Sequence, residues 1–264
     1  MTLNWGKIGL IARKIGILLF WTVMLSGLLW VLYYVNRQEG EAGCKKVSVS
    51  IKPAELQFYN RQRVLEVIRQ GLNNDEKLIG LPMAEIKIPE LEKALMNQPL
   101  IENADAYSDL SGVLNIAVRQ RRPILRVIRY DGTQYYLDQF GIKIPLSQHF
   151  SARVPIANGN IFERYERGDS VYSFVGNQLF KVASYVDKDS FLKALIEQIF
   201  VRADNDLILI PKIGNQIIIF GNAENLGLKF RKLLVFYREG FNRTGWNKYK
   251  SIDVRFEGQV ICKK

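Results

Sequence analysis

Residues 15–35 read IGILLFWTVMLSGLLWVLYYV, a run from Ile15 to Val35 without one charge. As a helix it spans roughly 31 Å, close to the ~30 Å hydrocarbon core of a bilayer. Trp21 near one end, and Trp30, Tyr33 and Tyr34 near the other, fit the aromatic belts of a membrane-spanning segment. Lys7, Arg13 and Lys14 precede the run, whereas Arg37, Glu39 and Glu41 follow it. A positive flank stays in the cytoplasm, so residues 1–14 read as a cytoplasmic tail and everything after about residue 36 as lying outside. A cleaved signal peptide has an apolar region of only ~7–15 residues and small residues at its cleavage site. This run is longer and ends in Leu-Tyr-Tyr-Val. Ala42-Gly43-Cys44 has the small residues of a lipoprotein site, but Glu41 and the polar gap after Val35 argue against one. The expectation is an uncleaved, single-pass anchor.

The chain has 264 residues, which leaves about 220 for folding, enough for one large or two modest domains. With 48% hydrophobic and 24% charged residues, packed cores are expected rather than disorder. A net charge of +11 suits nucleic acid, an anionic membrane surface or an acidic partner. Export argues against nucleic acid and leaves a solvated basic surface near anionic lipid. Two cysteines are too few for a disulfide-stapled scaffold or a cysteine zinc cluster. Cys44 and Cys262, near opposite ends of the exported part, read as free or intermolecular thiols.

From Cys44 the pattern is strand, helix, helix, strand, strand. Lys46 to Lys52 alternates Val47, Val49 and Ile51 with polar residues, as a half-buried strand does. Arg61 to Gln70 sets Val64, Leu65 and Ile68 on one helical face, and Gly71 stops it. Pro89 opens a short second helix with Leu91, Ala94 and Leu95, ending before Pro99. Ile101–Tyr107 and Val113–Arg121 read as strands joined around Asp109 to Gly112. After Pro123 a second unit begins, with a strand over Ile124–Tyr130, a turn at Asp131-Gly132 and a returning strand over Gln134–Asp138. A loop-rich stretch through Pro145 and Pro155 follows. Helices are expected over Ser170–Asp187 and Ser190–Phe200, and strands over Asp206–Ile210 and Gln216–Phe220. Asn222 is placed to cap a helix that ends at Gly240, and Lys250–Cys262 reads as one long terminal strand.

These elements, in this order, resemble the FtsQ (DivIB) cell-division proteins. VRQRRPILRV over 118–127 is similar to the family's joint between its two units. YYLDQFGIKIP over 135–145 is similar to its tyrosine–aspartate–glycine loop, and GWNKYKSIDVRFEGQV over 245–260 to its terminal segment. The resemblance implies an α+β protein with a single N-terminal transmembrane helix over 15–35. A POTRA domain (β-α-α-β-β) over 45–121 and a mixed α/β "β domain" over 122–264, ending in a long edge strand, complete it. It further implies a non-enzymatic scaffold of the divisome in the inner membrane, with its C-terminal domains in the periplasm at the division septum. FtsB- and FtsL-like proteins are the implied partners. The family's partner-binding arginine, aromatic and small residue carry over onto Arg255, Phe256 and Gly258, while Glu257 and Gln259 depart from the neutral, small residues of the family.

The residues themselves point to binding rather than chemistry. The lone histidine, His149, sits in a polar loop, so neither a two-histidine metal motif nor a histidine-based triad is in view. Glycine-rich phosphate loops are absent from the sequence, and no cofactor, small-molecule substrate or metal is expected. Along the terminal strand Ile252, Val254 and Phe256 alternate with Asp253, Arg255 and Glu257, and Gly258 breaks the pattern before Val260 and Cys262. Such a strand is either an edge to which a partner adds its own strand, or a closing core strand with a bulge at Gly258. The candidate partner-binding residues are therefore Ile252, Val254, Arg255, Phe256, Glu257, Gly258 and Val260. An envelope transport or assembly component bearing a POTRA domain is the alternative. That class ordinarily continues into a long β-barrel.

Overall fold

The computed structural model describes residues 18–31, 33, 43–71, 78–109, 111–240, 245 and 248–264. Helix α1 covers residues 18–31 and leaves Leu18, Trp21, Leu25 and Leu28 more than half exposed. Its polar side chains turn inward on the helix: the Thr22 and Ser26 hydroxyls donate to the Leu19 and Val23 carbonyls at 2.8 and 2.9 Å. Among the described residues no helix is long and apolar enough to cross a membrane. The expected span also takes in residues 15–17, 32, 34 and 35, which lie outside them.

By its contacts the chain divides into two compact units. The first joins residues up to Ser50 with Leu65–Ala94 and Asp105–Ala117; the second joins Ile51–Val64, Leu95–Ala104 and Val118–Lys264. The expected β-α-α-β-β order is present as β1 (Lys46–Lys52), α2 (Arg61–Gly71), α3 (Ile88–Met96), β2 (Ile101–Ser108) and β3 (Val113–Gln120). The three strands form one sheet in the order β1-β3-β2. Central β3 buries Leu114, Ile116 and Val118, the period-two signature of one face packed and one open. Val64 and Ile68 of α2, and Leu91 and Leu95 of α3, are buried at helical spacing.

The second unit is a nine-stranded mixed sheet in the order β12-β11-β10-β9-β8-β7-β4-β5-β6. Its strands are β4 (Pro123–Ile128), β5 (Gln134–Asp138), β6 (Lys143–Ile144), β7 (Ile156–Gly159), β8 (Ile196–Val201), β9 (Leu207–Pro211), β10 (Ile217–Gly221), β11 (Ser251–Asp253) and β12 (Ile261–Lys263). Helices α4 (Phe174–Lys188), α5 (Ser190–Leu195) and α6 (Leu226–Val235) share one core with the sheet. Leu179, Val182, Val186, Phe230 and Leu233 from α4 and α6 meet Val127, Ile199, Leu209, Ile218 and Phe220 from the strands. A smaller core in the same unit gathers Phe58, Leu100, Tyr136 and Ile144. It accounts for the grouping of residues 51–64 and 95–104 with the sheet rather than with their sequence neighbours.

Several local expectations give way to tertiary structure. The helix expected over Ser190–Phe200 stops at Leu195, and the chain passes directly into β8. Ile199 and Val201 instead pair with both β7 and β9, and Ile196 with β9, because a central sheet position offers β-branched residues two ladders. Helix α4 starts at Phe174 rather than near Ser170, since the Ser173 hydroxyl caps it by accepting from the Gly176 N–H at 2.9 Å. Asn222 does not cap α6. Asn225 holds the N-cap position with φ +50, while Asn222 Oδ1 accepts from the Glu224 N–H and Lys229 Nζ. The long terminal strand is a hairpin: β11 and β12 have 3 residues each and pair antiparallel, with a turn between them.

Candidate partner-binding surface

The terminal hairpin closes one edge of the large sheet. Strand β11 lies parallel to β10, with Ile218 facing Ile252, and β12 forms the outer edge. Val254 continues the pairing by donating its N–H to the Ile219 carbonyl at 3.1 Å. Ile252 and Val254 are both 0% exposed and belong to the main core, so their side chains pack inward and are not presented at the surface. Alternation had placed Ile252, Val254 and Phe256 on one face. The chain leaves the strand after Asp253, and Phe256 swings out to 44% exposure.

Arg255 is fixed at the root of the turn. Its guanidinium donates to Asp253 at 2.8 and 3.1 Å and to Asp206 at 3.2 Å. Burial alone would raise the Asp253 carboxyl, but the Arg255 hydrogen bonds more than offset it and hold the carboxyl below its ordinary range. The same bonds push the Arg255 guanidinium up. The arginine stem lies over Gly221, where an added Cβ would sit 2.9 Å from Arg255 Cδ. Arg255 also reaches over the Phe256 ring at 5.7 Å, so guanidinium and ring stand together at the surface.

A second cation organises the rest of the turn. Lys232 of α6 donates from Nζ to the carbonyls of Val254, Phe256 and Gln259 at 2.7, 2.5 and 3.4 Å. Gly258 has φ +72 with open space around its missing Cβ. The backbone bend therefore demands glycine there, not close packing or a bulge. Between this turn and α6 lies an open cavity of about 730 Å³, lined by Leu228, Lys232, Val235, Arg255, Gly258 and Val260 among others. Leu228 and Val235 are 53% and 49% exposed on the outer face of α6. The cavity's lining thus combines apolar side chains with basic ones (Lys229, Arg231, Lys232, Arg255) and acidic ones (Glu239, Glu257).

Of the candidate residues, the structure brings Arg255, Glu257, Gly258 and Val260 together around this cavity and sets Phe256 on the same turn. Sequence reasoning missed Lys232, Gly221, Asp206 and the α6 wall. Lys232 and Gly221 carry no local signal, because their partners lie more than twenty residues away. Among the described residues no group of three or more His, Cys, Asp or Glu side chains is placed to hold a metal ion. His149 sits exposed in a loop, and Cys44 and Cys262 carry free thiols.

Two family models match the chain. Residues 122–263, more than half of its length, match the family described as FtsQ/DivIB, C-terminal related. Residues 42–119 match a POTRA-like domain. No curated protein matches it.

Proposed function

Because this chain belongs to the FtsQ/DivIB C-terminal-related family, we propose that it is a non-enzymatic scaffold of the division machinery, anchored in the inner membrane and binding FtsB- and FtsL-like partners outside the cytoplasm. Residues 15–35 form the anchor and residues 1–14 the cytoplasmic tail in this reading, and the folded units act at the division septum. The apolar side chains around α1 support the anchor, as do its internally bonded hydroxyls, which present no free polar group to lipid.

The observation that carries the partner-binding reading is the exposed turn from Arg255 to Val260, held by Lys232 and Asp253 beside the open edge of β12. An edge strand offers unpaired backbone groups to a partner strand, and the neighbouring cavity offers a socket for its side chains. Aromatic and arginine anchors of this kind dominate interface energies. The test is a pull-down of the FtsB-like partner by the full-length chain in detergent. Phe256→Ala is expected to weaken binding about tenfold or more, equivalent to ~1.4 kcal/mol or more, with the fold intact. Unchanged affinity in Phe256→Ala and in Gly258→Glu would remove the terminal hairpin from the interface.

A further inference from the structure

The turn that follows α3 and the loop that follows β7 meet around a second cavity, of about 470 Å³. Met96, Asn97, Gln98, Pro99, Arg121, Arg167 and Gly168 line it, and all of them belong to the second compact unit. Two guanidiniums are in that lining and no acidic side chain is. The walls are fixed before any ligand arrives. Gln98 donates its N–H to the Leu95 carbonyl at 2.9 Å, Ile101 donates to the Gln98 carbonyl at 3.1 Å, and Arg121 donates to the Leu100 carbonyl at 2.9 Å. The Arg167 wall turns at Gly168, with φ +74, and closes by a bond from the Asp169 N–H to the Glu166 carbonyl at 3.2 Å.

The two arginines are held in different ways. Arg121 donates from Nη1 to Asp138 at 2.9 Å, and that buried carboxylate also accepts from the Phe140 and Ile142 N–H groups at 2.9 Å each. One corner of the guanidinium is thereby anchored, while Nε and Nη2 have no protein partner among the described residues. Arg167 uses Nη2 on the Asn97 carbonyl, one residue past the end of α3, and forms no ion pair among the described residues. Asp138 balances one of the two charges, so the cavity carries one that nothing in its lining offsets. That charge is felt nearby: burial raises the Tyr59 hydroxyl, and the Arg63 and Arg167 charges act against it. Tyr59 donates to Gln98 Oε1 at 3.3 Å, which leaves the Gln98 side-chain N–H2 as a further donor at the cavity. A guanidinium with unspent in-plane donors is a natural partner for a carboxylate, which it meets with parallel bonds.

The rest of the lining narrows the ligand. Met96 is 50% exposed and Pro99 joins it in the lining, so an apolar patch accompanies the arginines. Asn97 and Gln98 add side-chain amides. A ligand that uses all three must carry a carboxylate, a peptide group and an apolar side chain within the span of one residue. Inorganic phosphate lacks the last two, and an aspartate or glutamate inside a chain lacks the apolar group beside its carboxylate. We propose that the cavity binds the C-terminal residue of a polypeptide, with its carboxylate on Arg121 and Arg167, its N–H on the Asn97 side-chain carbonyl and its aliphatic side chain on Met96 and Pro99. The site is distinct from the terminal hairpin, since no residue lines both cavities.

The test uses the full-length chain in detergent and a fluorescein-labelled peptide ending in alanine and leucine, made once with a free C-terminal carboxylate and once as the C-terminal amide. By anisotropy the acid is expected to bind about tenfold more tightly than the amide, as the loss of one charge-assisted contact would give. That ratio should fall to about one in Arg167→Gln. It should also fall in Arg121→Lys, which keeps a cation beside Asp138 but loses the planar fork. It should persist in Lys181→Gln on α4. If Arg167 serves only to cap α3, Arg167→Gln lowers the melting temperature and leaves the acid-to-amide ratio unchanged, and that result would overturn the proposal. No binding of the acid, or equal binding of acid and amide by the wild-type chain, would overturn it too. So would displacement of the acid by an equal concentration of inorganic phosphate, which would make the cavity a general anion site. Phe256→Ala should leave the ratio untouched, so failure here leaves the partner-binding reading of the terminal hairpin standing.

Discussion

Replacing Lys232 by Met keeps the length and apolar stem of the side chain and removes only its ammonium. In the wild-type chain that ammonium serves three carbonyls, but they are not equivalent. Val254 is fully buried, so its carbonyl loses its cation with no water to replace it, a cost of ~1–3 kcal/mol. Phe256 and Gln259 are exposed, so their carbonyls rehydrate and add little. The sum is about 1–3 kcal/mol, and at ~2–4 °C per kcal/mol for a unit of this size the melting temperature should fall by roughly 2–12 °C. Thermal unfolding of the full-length chain in detergent measures it. Partner affinity in the pull-down should drop as well, by about tenfold, because a turn released from its clamp must be ordered again on binding. A variant that melts within ~1 °C of wild type and binds its partner equally well would refute the claim that Lys232 organises the turn.

Three further outcomes follow from the second unit. Glu163→Ala strands the fully buried Lys143, which bonds to Glu163 at 2.9 Å, to the Arg164 carbonyl at 3.0 Å and to Asp169 at 3.3 Å. Loss of about 3 kcal/mol in urea unfolding is expected, at the low end for a broken buried pair because Asp169 remains, and a loss under ~1 kcal/mol would contradict it. Gly221→Ala forces a side chain into φ +74 and against Arg255 Cδ, costing ~1–2 kcal/mol from the backbone alone. A structure of that variant with the Arg255–Asp206 pair still in place would count against the close approach. Acid should destabilise the fold. Burial raises the carboxyls of Asp187 and Glu163, but Arg122 and Lys193 on the first, and Ser173 and Lys143 on the second, outweigh it and leave both below their ordinary range. Depressed carboxyls stabilise the folded state fully above their unfolded values near ~4, and that stability is lost as pH falls through the folded values. The urea midpoint should therefore hold from about pH 7 to about pH 5 and then fall, with a shallower fall in Asp187→Asn; a midpoint level down to about pH 3 would contradict it.

Much of the architecture could be read from local pattern, and the exceptions share a cause. Strands β1 and β3 and helices α2 and α3 satisfy their own periodicity, so one-dimensional spacing located them. The pairing of β4 with β5 was legible because Asp131-Gly132 is a local turn, with Asp131 accepting from the Thr133 N–H at 3.0 Å. Strand β8 was not, since Leu192, Leu195, Ile196 and Ile199 satisfy helical spacing equally well. Only the ladders from β7 and β9 decide between the two. Strand β7 was hidden for the same reason, its partners β4 and β8 lying far along the chain, and two-residue β6 carries no run long enough to show a period.

At the candidate surface the division is sharper. Sequence alone determined that the final residues form an apolar, alternating segment ending in a glycine break, and it named Arg255, Phe256 and Gly258 by their likeness to a family. The tertiary structure decided what that pattern means. Burial against Ile218, Phe220 and Phe230 claims Ile252 and Val254 for the core, while Lys232, Asp253 and Asp206 fix the backbone and Arg255 so that the chain turns back instead of running on. Alternation records which residues are apolar, but which of them faces the core depends on where the strand ends. That end is set by cations and carboxylates brought together from distant parts of the chain.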